Sequence, residues 1–319
     1  MQPQDQRLIH KWIASQSDLP TITLALDENQ DSAPLSDFCN RLQAVSPDLN
    51  IKKDRDEPFT APALIIGHHQ NIAYQAVPEG KVLEPFLAAL STPAAPVEPA
   101  AGSYQERLEQ IKHPLQLRLY IARQCPHCPK AVGALLPLAA SSPLVRLAII
   151  DAQLFTEKAE ADQVRSVPTL IMDDRFRWTG NVDVAEILKL GVERDPAGMS
   201  ADSLRQILES GEAANAAAMM VEQNEIFPAL MELLIHPRWS VRLGAMVTVE
   251  YLADEAPGLA ADLALSLWQR FENLPAQVQG DVVHVLSLSK SPSAHAYLQA
   301  IVKGAYDQDV VEAAREALE

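Results

Sequence analysis

The chain has 319 residues, 48% hydrophobic and 21% charged, a globular composition too long for one ordinary domain. Its 26 Lys and Arg against 42 Asp and Glu give a net charge of −16, which argues against nucleic acid or an anionic membrane as partner, because both repel it. No apolar run reaches the roughly 18 residues of a membrane span, and the first residues lack a basic stretch followed by an apolar one, so a cytoplasmic protein is expected.

Residues 1–92 read as helix 4–15, strand 21–26, helix 35–45, strand 50–54, strands 62–67 and 72–77, and helix 82–90. Residues 93–103 are rich in Pro and Ala with neither period, and read as a linker. The part spanning 104–192 opens with a short helix, 104–111, and a strand, 116–122. A helix over 126–136 follows, with Pro137 as breaker or kink. Strand 145–151, helix 154–164, strands 168–173 and 175–179 with a tight Asp173-Asp174 connection, and helix 182–190 complete it. The two parts share one order of elements, which reads as duplication of a fold.

From 201 to 319 the strand signal vanishes and apolar residues recur at helical spacing. The sets Val241/Ala245/Val249, Val278/Val282/Leu286 and Val310/Ala314/Leu318 stand roughly 32–37 positions apart, the range of helical-hairpin repeats. Pro237 and Pro275 precede two of the sets. The segment Pro237-Arg238-Trp239-Ser240-Val241-Arg242-Leu243-Gly244-Ala245 resembles the second helix of a HEAT-type repeat, and stacked hairpins of this kind offer a docking surface for a protein partner.

Of the three cysteines, Cys39 falls in an apolar helical stretch and reads as a core filler. Cys125-Pro126-His127-Cys128 carries the chemistry. A structural zinc site wants four Cys or His ligands, and no second pair has suitable spacing, so no metal is expected. A redox pair suits the context. Cys125 follows a strand and opens a helix, where amide donors and the helix dipole stabilise a thiolate. Pro126 suits a first helical turn. His127 can place positive charge beside the sulfur, favouring the reduced form. Cys128, one turn on, is the expected buried, resolving thiol, and positions i and i+3 of a helix satisfy disulfide geometry. Val167-Pro168-Thr169, at the start of a strand, supplies a place for a cis peptide lying against the sulfurs, leaving the Val167 backbone to pair with a substrate. His68, His69, His236 and His284 read as ordinary surface or core residues, Trp178 and Trp239 as core. Asp151 is either buried near the active helix or a loop cap.

On the Cys125–Cys128 motif, the Val167–Thr169 turn and the closing helix, residues 119–190 look like an active thioredoxin-fold domain. The tandem plan over roughly 1–192, with an inactive first copy, is similar to the N-terminal module of the alkyl hydroperoxide reductase flavoprotein subunit and to archaeal protein disulfide oxidoreductases. The resemblance implies an α/β thioredoxin-like pair of domains followed by an all-α region. It implies Cys125 as attacking thiol, Cys128 as resolving thiol and Pro168 as cis-proline, with Val167 and Thr169 meeting the substrate. The implied partner is a protein disulfide, as in a peroxiredoxin or a reductase flavoprotein. The chain departs from that pattern in three ways. Pro-His between the cysteines is similar to the oxidising DsbA type. The Glu that the family's first copy places two positions after a Gly is replaced, since Gly80 is followed by Lys81-Val82. No GxGxxG and no flavin or nicotinamide domain follows, so no cofactor is expected. The alternative is an interaction protein whose helical repeats bind a client under control of a Cys125–Cys128 switch.

Overall fold

The computed structural model describes residues 1–26, 32–54, 61–91 and 102–319. The expected linker 93–103 lies outside them except at its end, where a helix begins at Gly102. The chain divides into two compact units, Met1–Glu193 and Arg194–Glu319.

The first unit is built on one mixed sheet of eight strands: β1 (Thr21–Ala25), β2 (Asn50–Asp54), β3 (Ala63–Ile66), β4 (Ile72–Gln75), β5 (Leu115–Ile121), β6 (Val145–Asp151), β7 (Thr169–Met172) and β8 (Phe176–Thr179). Their order is β2-β1-β3-β4-β6-β5-β7-β8. In each half one parallel pair (β1/β2, β5/β6) is followed by two antiparallel pairs (β1/β3 and β3/β4, β5/β7 and β7/β8). The halves join through a parallel pairing of β4 with β6, Ile72 opposite Leu147 and Gln75 opposite Ile150. This buries what would otherwise be two open sheet edges. Leu117, Leu119, Leu147 and Ile149 lie wholly inside, each worth about 1.5–3 kcal/mol relative to exposure. Asp173 and Asp174 both have positive φ, 52° and 61°, the conformation a two-residue hairpin with the native twist requires.

Helices α1 (Pro3–Ser15), α2 (Ser32–Val45), α3 (Leu83–Leu90), α4 (Gly102–Gln110), α5 (Cys128–Ser141), α6 (Thr156–Ala161) and α7 (Val184–Glu193) accompany the sheet. Two depart from expectation. Helix α5 starts at Cys128 rather than 126 and runs through Pro137 to Ser141. Pro137 removes one backbone bond, but the buried row Val132, Leu135, Leu136, Leu138 and Ala139 outweighs that loss. Helix α6 is six residues long, not the eleven of 154–164. The Asp151 carboxylate accepts from the Gln153 and Leu154 amides and fixes a turn, which settles Asp151 as a loop cap. Leu154, Phe155 and Val164 then reach their apolar cluster from loops rather than from a helix. Trp178 is buried as expected, its indole N–H donating to Glu186 over 3.1 Å.

Asn71, in the turn before β4, ties the halves together at the far end of α5. Its Nδ2 donates to the carbonyls of Ala139, Ser142 and Val145 at 2.7, 3.0 and 2.6 Å, and its own carbonyl accepts from Leu147 at 2.9 Å. Carbonyls at a helix C-terminus have no partner within the helix, so one side chain satisfies what the last turn leaves open.

The second unit holds α8 (Ala201–Glu209), α9 (Ala213–Gln223), α10 (Pro228–Leu234), α11 (Trp239–Glu255), α12 (Pro257–Phe271), α13 (Ala276–Ser289), α14 (Pro292–Lys303) and α15 (Gln308–Glu316). They pair as hairpins α8/α9, α10/α11, α12/α13 and α14/α15. Helices α9, α11, α13 and α15 pack side by side in one layer, and α8, α10, α12 and α14 in a second. Val241, Ala245, Val249, Val278, Val282, Leu286, Val310 and Ala314 are buried; Leu318 lies past the end of α15 and is half-buried. The Arg242 guanidinium is fully buried, ion-paired with Asp281 of α13 and donating to the His236 and Pro237 carbonyls at 2.7 and 2.9 Å. Trp239 corrects the expectation of a core residue: it is 53% exposed, because the first turn of α11 turns Val241 and Arg242 inward instead.

Two expected outcomes follow from this packing. Asn71→Leu takes a donor from three carbonyls, of which that of Ser142 keeps the Val145 N–H, and lowers stability by about 2–3 kcal/mol, read from urea unfolding of the full chain; an unchanged midpoint refutes the role. Burial pushes the Cys39 thiol up to about 12, with Lys53 opposing slightly. Cys39 therefore resists iodoacetamide at pH 8 in the native protein and reacts in urea. The unfolded chain loses this proton near 9.0 and the folded chain near 12, so Cys39 lowers stability as pH rises through that window. Cys39→Ala should flatten that part of the stability–pH curve.

Candidate redox site

Strand β5 ends at Ile121, and Cys125 N–H donates to the Ala122 carbonyl at 3.1 Å, closing a turn that sets the cysteine at the head of α5. Cys125 is half-buried and Cys128 fully buried. Their Cα atoms stand 5.5 Å apart with the sulfurs bonded as a disulfide. The Cys128 amide N–H points at Cys125 Sγ over 3.1 Å. A helix-start amide directed at a sulfur is the local feature that favours a thiolate once the pair is reduced.

His127 is the N-cap residue, exposed, and its carbonyl accepts from Lys130 and Ala131. Pro126 therefore precedes the helix instead of lying in its first turn. Pro129 takes that place, where a missing N–H costs nothing.

Val167-Pro168 is a cis peptide, as is Ala61-Pro62 at the start of β3. The Val167 carbonyl oxygen is 3.6 Å from Cys125 Sγ, and the Val167 N–H has no partner among the described residues. Pro168 is buried and its carbonyl accepts from Gly180 N–H at 2.8 Å, stitching the loop after β8 to the turn beside the sulfur. Gly180 has φ +84°, where a side chain would be strained. Thr169 is buried; its hydroxyl donates to the Ser166 carbonyl at 2.8 Å and lies 3.4 Å from the Thr179 hydroxyl, so it is engaged within the fold. The structure thus gathers Cys125, Cys128, His127, Val167 and Pro168 at one place, with Thr169 beneath them.

Two features of the site leave little mark in the sequence. A groove of about 250 Å³ opens beside the cysteines between the N-cap His127 with Lys130, Ala131 and Ala134 of α5 and the Gly180-Asn181-Val182 loop. Gly180-Asn181 directly after the last strand is its only sequence signal. Glu79, from the first half, binds Arg41 at 2.9 Å and reaches Arg123, two residues before Cys125, at 3.7 Å. That carboxylate comes from the position before Gly80, not after it. Among the described residues no group of three or more His, Cys, Asp or Glu could hold a metal ion, and no helix is long and apolar enough to cross a membrane.

Residues 116–191 match the thioredoxin domain family. The chain is 24% identical over 214 residues to the F component of alkyl hydroperoxide reductase from Xanthomonas campestris pv. phaseoli, covering 64% of this chain and 40% of that protein. It is 24% identical over 208 residues to the component of the same name from Pseudomonas aeruginosa, covering 62% and 39%. The chain thus spans about two fifths of the length of these relatives. In structure it is similar to the NTD_N/C domain of alkylhydroperoxide reductase AhpF from Enterococcus faecalis, with a TM-score of 0.50 at 16% identity over 59% of this chain and 98% of that one, a likeness of fold. Residues 116–191 form a thioredoxin-like α/β domain, and its likeness to these oxidoreductases supports a thiol–disulfide redox role.

Proposed function

We propose that the chain is a protein thiol–disulfide oxidoreductase working through Cys125 and Cys128. The observation that carries this is the asymmetry of the pair: Cys125 is reachable and faced by a helix amide, while Cys128 is sealed one turn behind it. The Cys125 thiolate attacks one sulfur of the partner's disulfide. That S–S bond breaks, its other sulfur leaves as a thiolate and takes a proton, and a mixed disulfide remains. The deprotonated Cys128 then attacks Cys125 Sγ, releases the partner's second sulfur as a thiol and closes the Cys125–Cys128 disulfide. Two electrons pass to the partner, and an external dithiol or reductase flavoprotein restores the pair.

In this reading the free Val167 N–H and its carbonyl align the partner's chain, Pro168 holds them against the sulfur, Thr169 fixes that turn from beneath, and Pro126 and His127 shape the approach to Cys125. Residues 1–92 act as an inactive copy that extends the sheet and braces α5 through Asn71. We take a peroxiredoxin-type protein as the partner and the cytoplasm as the setting.

A second reading is favoured by the surface of the second unit, which we take as HEAT-like. Trp239, Leu243 and Tyr251 are 53, 40 and 41% exposed along α11, an apolar stripe of the kind that binds proteins. Here the helical unit holds a client, and the oxidation state of the cysteines regulates that grip.

Insulin reduction by dithiothreitol separates the two. The first reading expects turnover that Cys125→Ser lowers at least 100-fold, while Cys128→Ser traps a mixed disulfide. The second expects no turnover, a peroxiredoxin bound with an affinity that changes about 10-fold between reduced and oxidised protein, and loss of that binding in Trp239→Ala/Leu243→Ala.

A further inference from the structure

The groove beside the cysteines presents an unpaired lysine on an acidic protein. Lys130 and His127 line one wall, both exposed and without a side-chain partner among the described residues. Arg123, ion-paired with Glu79, and Arg165, which is also engaged, flank the two segments that meet at Cys125 and Val167. The neighbouring carboxylates are already engaged. Asp183 accepts from the Ala185 and Glu186 amides at the start of α7, Asp151 caps its own turn, and Glu79 is held by Arg41 and Arg123. The facing wall, Gly180-Asn181-Val182, carries no charge. The whole chain has a net charge of −16, and Lys130 is a cation with no carboxylate partner among the described residues, placed where a substrate disulfide would arrive.

The geometry extends from the sulfur into the groove. Gly180 is bonded to the Pro168 carbonyl, so the loop forming the uncharged wall is continuous with the turn that presents Val167. A chain aligned on Val167 with its disulfide at Cys125 would carry a neighbouring residue over Gly180 and Asn181 towards Lys130.

We propose that this groove is a subsite for a carboxylate lying next to the reacting disulfide, so that the oxidoreductase selects anionic disulfides over neutral or cationic ones. The inference rests on the Cys125–Cys128 reading above and adds the class of substrate to it. Repulsion by the acidic surface discriminates against anions in every orientation but the one that puts the carboxylate at Lys130, so the same arrangement gives both orientation and selectivity. The carboxylate can come from an acidic residue of a protein segment or from a small disulfide.

The test uses the pre-reduced full chain, mixed with a disulfide, quenched with acid, separated from small thiols and assayed for the thiols left on the protein. One arm compares two disulfide-linked peptides with Glu or Gln on each side of the cysteine. The other compares oxidised glutathione with hydroxyethyl disulfide, each rate divided by that of the same disulfide with free dithiothreitol. The expected preference for the anionic member is about 3-fold to 10-fold at low ionic strength, shrinking in 0.5 M salt. Lys130→Gln, on one wall, and Asn181→Asp, of matched size on the other, should each cut that ratio about 3-fold or more. A preference in the peptide arm alone assigns the subsite to a protein segment, and one in the glutathione arm admits the small disulfide; both support the proposal. No preference, or one that neither variant moves, overturns it while leaving the redox reading intact. A wild-type chain that no disulfide oxidises sinks both.

Discussion

The pairing of β4 with β6 is the constraint on which the first unit depends. It is a parallel junction between strands about seventy residues apart in sequence, and it turns two four-stranded halves into one sheet. Neither half keeps an open edge at that seam, so backbone N–H and C=O groups that water would otherwise have to satisfy are paired inside the sheet. Asn71 adds to the same seam by closing the C-terminal end of α5 with one amide group. The helix that carries Cys128 at its first residue is therefore anchored at its far end by the half of the unit that has no cysteine pair.

The site at the other end of α5 is assembled from short pieces with separate local reasons. The turn after β5 brings Cys125 to the helix start, and the helix itself supplies the amide that faces the sulfur. The strand–turn arrangement of β7 and β8 brings Val167 and Gly180 to the same place. Apart from Cys128 itself, backbone groups make the polar contacts to Cys125. The polar side chains that reach the site, His127 at the cap of α5, Lys130 within it and Glu79 through Arg123, stand around the sulfur pair and define what can approach it.

The second unit follows a different logic. Its helices are held in two layers by apolar rows, with one buried ion pair, Arg242–Asp281, fixing α11 against α13. Replacing such a pair by apolar residues is often neutral, whereas leaving one charge unpartnered is costly, so its value lies in specifying register. Residues Arg194–Glu319 hold 8 Lys and Arg against 18 Asp and Glu, a net −10 of the chain's −16. The unpaired Lys130 by Cys125 thus lies in the less acidic part of the chain.

The sequence by itself determined the elements whose signals are local. Period-two runs such as Leu117/Leu119, the Asp173-Asp174 turn, the Cys125–Cys128 spacing and the helical rows at Val241, Val278 and Val310 depend on residues a few positions apart, and all are legible. Where a local pattern misleads, tertiary contacts overrule it: α5 crosses Pro137 because its buried face is worth more than one hydrogen bond, and Leu154 and Val164 pack from loops because Asp151 ends the strand with a turn. The exposure of Trp239 is not legible, because aromatic character is the same on either side of a helix and only the neighbouring helices decide which side is covered. The order of strands across the seam, the three carbonyls on Asn71, the approach of Glu79 to Arg123 and the groove facing Lys130 belong to tertiary structure alone. Each joins segments some forty to seventy residues apart, and no residue in either segment carries a mark of its partner.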